Sequence, residues 1–246
     1  MLSRNVLAPL PPWFSRWLGY RRVPPPKRPD YIIWFWTFIG AFCCIALLQA
    51  VFGQAQYFIG RGVPPLVASY GASAVLIYGV IEAPLAQPRS LFGGHFFGAL
   101  VGVIITKLFQ LLPTEERFNE LAWLAASLSC ATATVVMQVT QTVHPPAGAT
   151  ALLPATSQEI RDIGWYYLPV VLLSSALAFA VALINNNIQR RWPLFWIAPP
   201  KPAPPPSAVV ESVVASQQAE SEDTKEKGLS SENGKSLTDS NGTPPV

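Results

Sequence analysis

The chain has 246 residues, 50% of them hydrophobic and 13% charged, with a net charge of +3 and a mean hydropathy of +0.31. That balance points to a membrane rather than to a water-soluble core, and with no basic stripe bearing interleaved aromatics it excludes nucleic acid as a partner. Cys43, Cys44 and Cys130 sit in apolar segments without ligand-type spacing, so they read as inert packing thiols; no metal and no cofactor is expected.

Residues 1–30 form a basic, Pro-rich arm carrying Arg4, Arg16, Arg21, Arg22, Lys27 and Arg28, with no acid before Asp30. Trp13, Phe14 and Trp17 give it an aromatic patch suited to a membrane surface. A mitochondrial presequence is the alternative, though Pro9, Pro11 and Pro12 interrupt any long amphipathic helix. Residues 31–193 are the apolar body. Its charges are clustered, and the stretches between them suit helices of ~20 apolar residues, enough to cross a bilayer. Tyr31–Phe52 opens with an aromatic belt. Pro64–Ile81 follows a Pro-Pro pair and ends at Glu82 and Pro84. Gly93–Leu112 starts at Gly93-Gly94-His95. Glu115, Glu116, Arg117 and Glu120 read as a solvated turn. Leu121–Val143 is rich in Ala, Ser and Thr and is expected to face protein rather than lipid. Ala147–Pro154 is short. Gly164–Ile188 is the last, closed by Asn185-Asn186-Asn187 and Arg190-Arg191. Residues 194–246 begin Pro-rich and continue as a polar tail that buries too little surface to offset chain entropy.

The most informative stretch is Thr142-Val143-His144-Pro145-Pro146-Ala147-Gly148-Ala149-Thr150-Ala151-Leu152-Leu153. The prolines stop the preceding helix, and a short helix begins after them. Broken helices at membrane depth are tolerated where they are buried in protein or line a wet cavity. Gly71-Ala72-Ser73-Ala74-Val75-Leu76 matches Gly148-Ala149-Thr150-Ala151-Leu152-Leu153, and a Pro-Pro pair precedes each. This suggests two copies of helix, broken element, helix. With three crossings each, the copies would be inverted, a frequent transporter plan. The fold class is therefore all-α: a polytopic transmembrane bundle of four to six elements, two of them short or broken, with a possible internal repeat. Lys/Arg bias places both termini on the cytosolic side, which needs an even number of crossings. Ala147–Pro154 is expected to be re-entrant or completed by an extended stretch.

Four segments in order, Gly71-Ala72-Ser73-Ala74, Pro84-Leu85-Ala86-Gln87-Pro88-Arg89, Gly93-Gly94-His95 and Thr142–Ala149, resemble the HPP family of integral membrane proteins, named for the motif present here as His144-Pro145-Pro146. The resemblance covers roughly residues 29–196. It implies about four membrane-spanning helices and a transport role; plastid and cyanobacterial members are linked to nitrite transport. The chain shows no obvious plastid transit peptide, and its tail composition suits a fungal-type member.

The candidate site follows. His144 is a proton-linked or anion-contacting imidazole, or a ring that bonds a carbonyl freed by the proline break. Pro145 and Pro146 are architectural. Gly71 to Ser73 and Gly148 to Thr150 would offer helix-start N–H groups and hydroxyls to an anion, or serve close packing. Arg89 would attract the anion or snorkel. His95 is a second pore-side group, one turn into its helix or at its cap. Gln138, Gln141 and Thr142 would line the approach to His144 or bond between helices. With no nucleophile elbow, His-Glu-x-x-His or phosphate loop, no enzyme is expected. The reading is a transporter or channel for a small solute such as an inorganic anion, embedded in the bilayer and compatible with a homo-oligomer. The alternative is a structural or accessory membrane protein.

Overall fold

Prolines and caps decide where the helices begin. In the computed structural model, which describes residues 10–21, 26 and 28–197, α1 spans Pro12–Trp17, α2 Asp30–Gln54 and α3 Gln56–Ile59. Next come α4, Ser69–Ala74, with a π-helical turn Val75–Gly79, and a 3-10 turn Pro84–Ala86. Then follow α5 Pro88–Phe109, α6 Glu115–Val139, α7 Pro145–Thr156, α8 Gln158–Ile163, a 3-10 turn Gly164–Tyr166, and α9 Tyr167–Gln189. Among the described residues four helical stretches are long and apolar enough to cross a membrane: Asp30–Gln54, Pro88–Phe109, Glu115–Val139 and Gln158–Gln189. The protein is an all-α polytopic membrane bundle. The polar tail lies outside the described residues.

Boundaries differ from the sequence expectation where capping chemistry outweighs hydropathy. Pro88 fits the first helical position, whose N–H would be unpaired anyway, so α5 starts five residues before Gly93 and takes in Arg89. Thr114 caps α6 by accepting from the Arg117 N–H. Glu115, Glu116, Arg117 and Glu120 are therefore its first turns, not a loop, with the two acids placed well for the helix dipole. At the far end Gln141 (φ 55°) is left-handed. Its N–H bonds the Gln138 carbonyl and the Thr142 N–H bonds that of Met137, a Schellman closure.

Contact register fixes helix direction. A Cβ on Gly94 would meet His144 and Ala147, one on Gly98 would meet the Ala147 carbonyl, and one on Gly102 that of Ala151; α7 therefore runs parallel to α5. Gly93 abuts Thr142, while Ile105 clusters with Ala125 and Ala126, so α6 runs opposite. Lys107 lies beside Gly164, Phe92 packs on Phe179, and the Leu194 N–H donates to Gln87; α9 also opposes α5. Tyr70 reaches Val171, Tyr78 reaches Ala178 and Asn186 reaches Ile77, so α4 and its π turn run alongside α9. α2 opposes them, with Thr37 at Tyr78 and Gly53 at Pro65. Among the described residues α2, α4 with its π turn, α5, α6, α7 and α9 thus alternate in direction.

The second short element is not re-entrant. Its 12 residues cover about 18 Å at ~1.5 Å per residue, short of the ~30 Å core. The last turn of α7 nevertheless places Pro154 at the level of Lys107 and Gln110, where α8 follows, so the chain does not turn back to the end of α5 from which it came. Directions in α2–α4–α5 are the reverse of those in α6–α7–α9, so the two halves have an inverted relation. The helix broken after Gly79 leaves carbonyls that lipid cannot satisfy. Side chains supply donors: Asn186 Nδ2 to Ile77 (2.8 Å), Thr37 Oγ1 to Tyr78 (3.0 Å), Gln87 Nε2 to Ile81 and Ala83, and Trp192 Nε1 to Ala86.

Candidate functional site

The two short elements meet where α5 enters the bundle. Their approach depends on Gly94, Gly98 and Gly102, a stripe that brings α5 onto the α7 backbone. His95 beside this stripe and His144 at the N-cap of α7 are both fully buried. Ser73 Oγ stands between them, 2.7 Å from His95 Nε2 and 3.0 Å from His144 Nε2. Thr150 Oγ1 lies 2.8 Å from His95 Nδ1 and 2.7 Å from Ser69 Oγ. His144 Nδ1 lies 2.9 Å from the Leu85 carbonyl. The ring of His95 is stacked on Tyr70 at 4.4 Å and 14°. Tyr70 is held in turn by the Val171 carbonyl and Ser175. Ser73 and Thr150, the matching positions of the internal repeat, thus grip opposite nitrogens of one imidazole.

Protons can be assigned from the partners. A carbonyl only accepts, so His144 Nδ1 carries hydrogen and, in the neutral ring, Nε2 accepts from Ser73. Ser73 then has no proton left for His95, so His95 Nε2 donates to Ser73 and its Nδ1 accepts from Thr150. Thr150 in turn accepts from Ser69. All five contacts are satisfied with both rings neutral. The weaker competitor is the Ser69 carbonyl, 3.3 Å from Ser73 Oγ.

Not every predicted site residue joins this cluster. Arg89 donates instead to the carbonyls of Thr140 (2.6 Å) and Ile197 (3.1 Å), fastening the end of α6 to the C-terminal segment. Gly71 faces open space, and Gly148 faces Cys130 on α6. Pro145 is exposed and Pro146 buried. The expected helix-start anion site is not formed: Pro145 and Pro146 have no N–H, and the Ala147 N–H bonds the His144 carbonyl. On α4 the Tyr70 and Gly71 N–H groups bond the carbonyls of Val67 and Ala68. Gln138 and Gln141 are exposed, while Thr142 is buried against Gly93. His95 lies two turns into α5 rather than at its cap, because that helix starts at Pro88. A groove of about 430 Å³ lined by Phe38, Phe42 and Ile45 is on the outer face of α2, away from the histidines.

Sequence reasoning missed Ser69, Tyr70, Tyr167 and the three asparagines. Ser69 precedes Ser73 by one helical turn, a signal available in the sequence. Tyr167 answers a local break: Pro154 has no N–H for the Thr150 carbonyl four residues back, and the Tyr167 hydroxyl donates to it at 3.2 Å. Asn185, Asn186 and Asn187 stand in the last two turns of α9. They are buried, and they bond the carbonyls of Trp36, Ile77 and Trp17. The same end of α9 holds the N-terminal segment: Arg16 Nη2 donates to Ile188 (2.9 Å), Arg21 Nη2 to Asn187 (2.8 Å) and Arg191 Nε to Gly19 (2.7 Å). Burial, followed by the charges of Arg16 and Arg191, holds Arg21 below the ordinary guanidinium value. Gly19, at φ 79°, packs where a Cβ would strike the Pro193 backbone.

Among the described residues no group of three or more His, Cys, Asp or Glu is placed to hold a metal. No solved structure matches the chain. A transmembrane protein of Dictyostelium discoideum is 39% identical over 187 residues, which are 75% of this chain and 63% of that protein. A second from the same organism is 38% identical over 189 residues, 75% of this chain and 57% of its own length. The chain thus spans roughly three fifths of the curated relatives it matches. The family described as HPP, transmembrane region, matches residues 26–193, and with four ordered motifs, a His-Pro-Pro break whose histidine is buried and these relatives, the chain belongs to the HPP transmembrane family.

Proposed function

We propose that this protein carries a small inorganic anion such as nitrite across its membrane, with a proton moving at His144. The observation that carries the reading is the meeting of two broken, inverted elements on a buried His95–Ser73–His144–Thr150 cluster. Buried ionisable groups at membrane depth are costly and mark solute or proton pathways, and inverted repeats with broken helices at their junction are a transporter plan. The site consists of His144, His95, Ser73 and Thr150, with Pro146 shaping the break; Arg89 acts as a fastener rather than an anion ligand. The basic residues Arg16, Arg21, Arg190 and Arg191 share one face with both ends of the body, which supports cytosolic termini. Residues 31–193 form the transporting domain in this reading. Exposed Ser127, Ala131, Thr134 and Gln138 on α6 suit a second copy. The fungal-type origin rests on tail composition alone, since both relatives are from Dictyostelium discoideum.

The test is flux of nitrite, nitrate, chloride and formate into proteoliposomes, with and without a pH gradient, for wild type and His144→Ala. Saturable flux that the substitution abolishes supports the reading. A folded, correctly inserted and fully active His144→Ala protein would refute the role given to His144. One observation favours the alternative of a structural or accessory membrane protein: the cluster is closed on itself, and Arg89 points away. Absence of flux for all four anions from well-folded protein would move the assignment there.

A further inference from the structure

The cluster is more than a set of polar groups in contact. With both rings neutral, the Leu85 carbonyl sets the direction of every hydrogen bond in turn: Ser69 to Thr150, Thr150 to His95 Nδ1, His95 Nε2 to Ser73, Ser73 to His144 Nε2, and His144 Nδ1 to the Leu85 carbonyl. Thr150, Ser73 and each ring both give and receive one bond, and Ser69 at the head of the series gives one to Thr150. The Leu85 carbonyl ends the series, because an amide oxygen accepts a bond but does not pass a proton on. His95 is stacked on Tyr70 and bonded at both nitrogens, so its ring is not free to turn over. Any change in which nitrogen is protonated must therefore pass through its neighbours.

We propose that this chain is a single-proton relay and store, in which a proton entering at Ser69 comes to rest on His144 while His95 changes tautomer. The steps balance. The incoming proton binds Ser69 Oγ, which releases its own to Thr150 Oγ1, and Thr150 releases its own to His95 Nδ1. His95 then gives up its Nε2 proton to Ser73, and Ser73 passes its own to His144 Nε2. Every group breaks one bond as it makes one, except His144, which keeps the added proton. The four links from Ser69 to His144 survive with reversed direction, and His144 Nδ1 goes on donating to Leu85. A second proton would place charge on two rings 4.9 Å apart, so the store holds one. Of the titratable groups around the cluster, Tyr70 from α4 is stacked on His95 with its hydroxyl bonded to Val171 and Ser175, and the Tyr167 hydroxyl from α9 donates to the Thr150 carbonyl. From the α4–α5 connection and α5 itself the nearest charged side chains in sequence are Glu82 and Arg89; Glu82 is exposed and Arg89 is committed to two carbonyls. This inference rests on the transport reading for its purpose, not for its chemistry.

The chain has two histidines, both in the cluster, so ¹⁵N-histidine NMR of the protein in lipid nanodiscs reads the relay directly. At pH 8 the expected result is opposite tautomers, hydrogen on Nδ1 of His144 and on Nε2 of His95. On acidification His144 should become doubly protonated, and in the same step His95 should move its hydrogen to Nδ1. In Ser73→Ala the two events should separate. Identical tautomers at pH 8, protonation of His144 with His95 unchanged, or no protonation of either ring down to pH 4 would each overturn the relay. Should Ser73→Ala fail to fold, the wild-type titration decides alone. Switching without anion flux would keep the relay and reject the transport reading. Proton-driven flux without switching would do the reverse.

Discussion

Replacing Gly98 by alanine should destabilise the protein, whereas the same change at Gly148 should not. A Cβ at Gly98 would stand 2.5 Å from the Ala147 carbonyl oxygen, and the shortest approach that real Cβ atoms tolerate is 3.0 Å. α5 and α7 must therefore part by at least 0.5 Å. The obstacle is backbone inside a helix and cannot swing aside, so the upper end of the overpacking range applies, about 3 kcal/mol. Alanine's better helix propensity offsets ~1 kcal/mol of this, leaving a net loss of roughly 2 kcal/mol. At ~2–4 °C per kcal/mol for a chain of this size, the melting temperature falls by about 4–8 °C. At Gly148 the new Cβ meets only Cys130 Sγ, at an ordinary 3.6 Å, so propensity dominates and stability holds or rises by up to ~1 kcal/mol. Thermal unfolding of both variants in one detergent, followed by tryptophan fluorescence, compares them. Equal melting temperatures for Gly98→Ala and Gly148→Ala would refute the close approach of α5 to α7, and with it the geometry that joins His95 to Thr150.

Tyr167→Phe leaves the Thr150 carbonyl without the donor that replaces the missing Pro154 N–H, and should cost ~1–3 kcal/mol in denaturant unfolding. Asn186→Leu removes the donor to Ile77 and the acceptor for Arg190; a loss of about 2 kcal/mol or more is expected, and an unchanged unfolding midpoint would show that the π turn needs no such support. Gln141→Gly relieves a left-handed residue and should stabilise by ~1 kcal/mol, seen as a higher melting temperature. Joint substitution Arg16→Ala and Arg21→Ala cuts the bonds to the end of α9 and should speed proteolysis within residues 10–21 while leaving the cleavage rate of the α6–α7 connection unchanged.

The apolar spans and the proline break after His144 were legible because each is a local property. Span length follows from consecutive apolar residues, and a proline removes a hydrogen bond wherever it stands. The repeat of Gly71–Leu76 in Gly148–Leu153 pointed correctly to two short elements that meet. Helix starts at Pro88 and Glu115 were misjudged, because glycine and charge were read as loop signals when caps had already begun the helices.

What no local reading supplies is convergence. His95 and His144 are brought to one hydroxyl by packing of α4, α5 and α7, whose contributing residues lie 22 and 71 positions apart. That packing is possible because three glycines let two backbones approach. Arg89, which the sequence offers as an anion-attracting or a snorkelling group, is turned away from the histidines, since the Thr140 and Ile197 carbonyls take its guanidinium. Composition determines that this chain lives in a bilayer and where its helices break. Burial in three dimensions decides which polar groups must satisfy one another, because in a medium without water each has to find its partner within the protein.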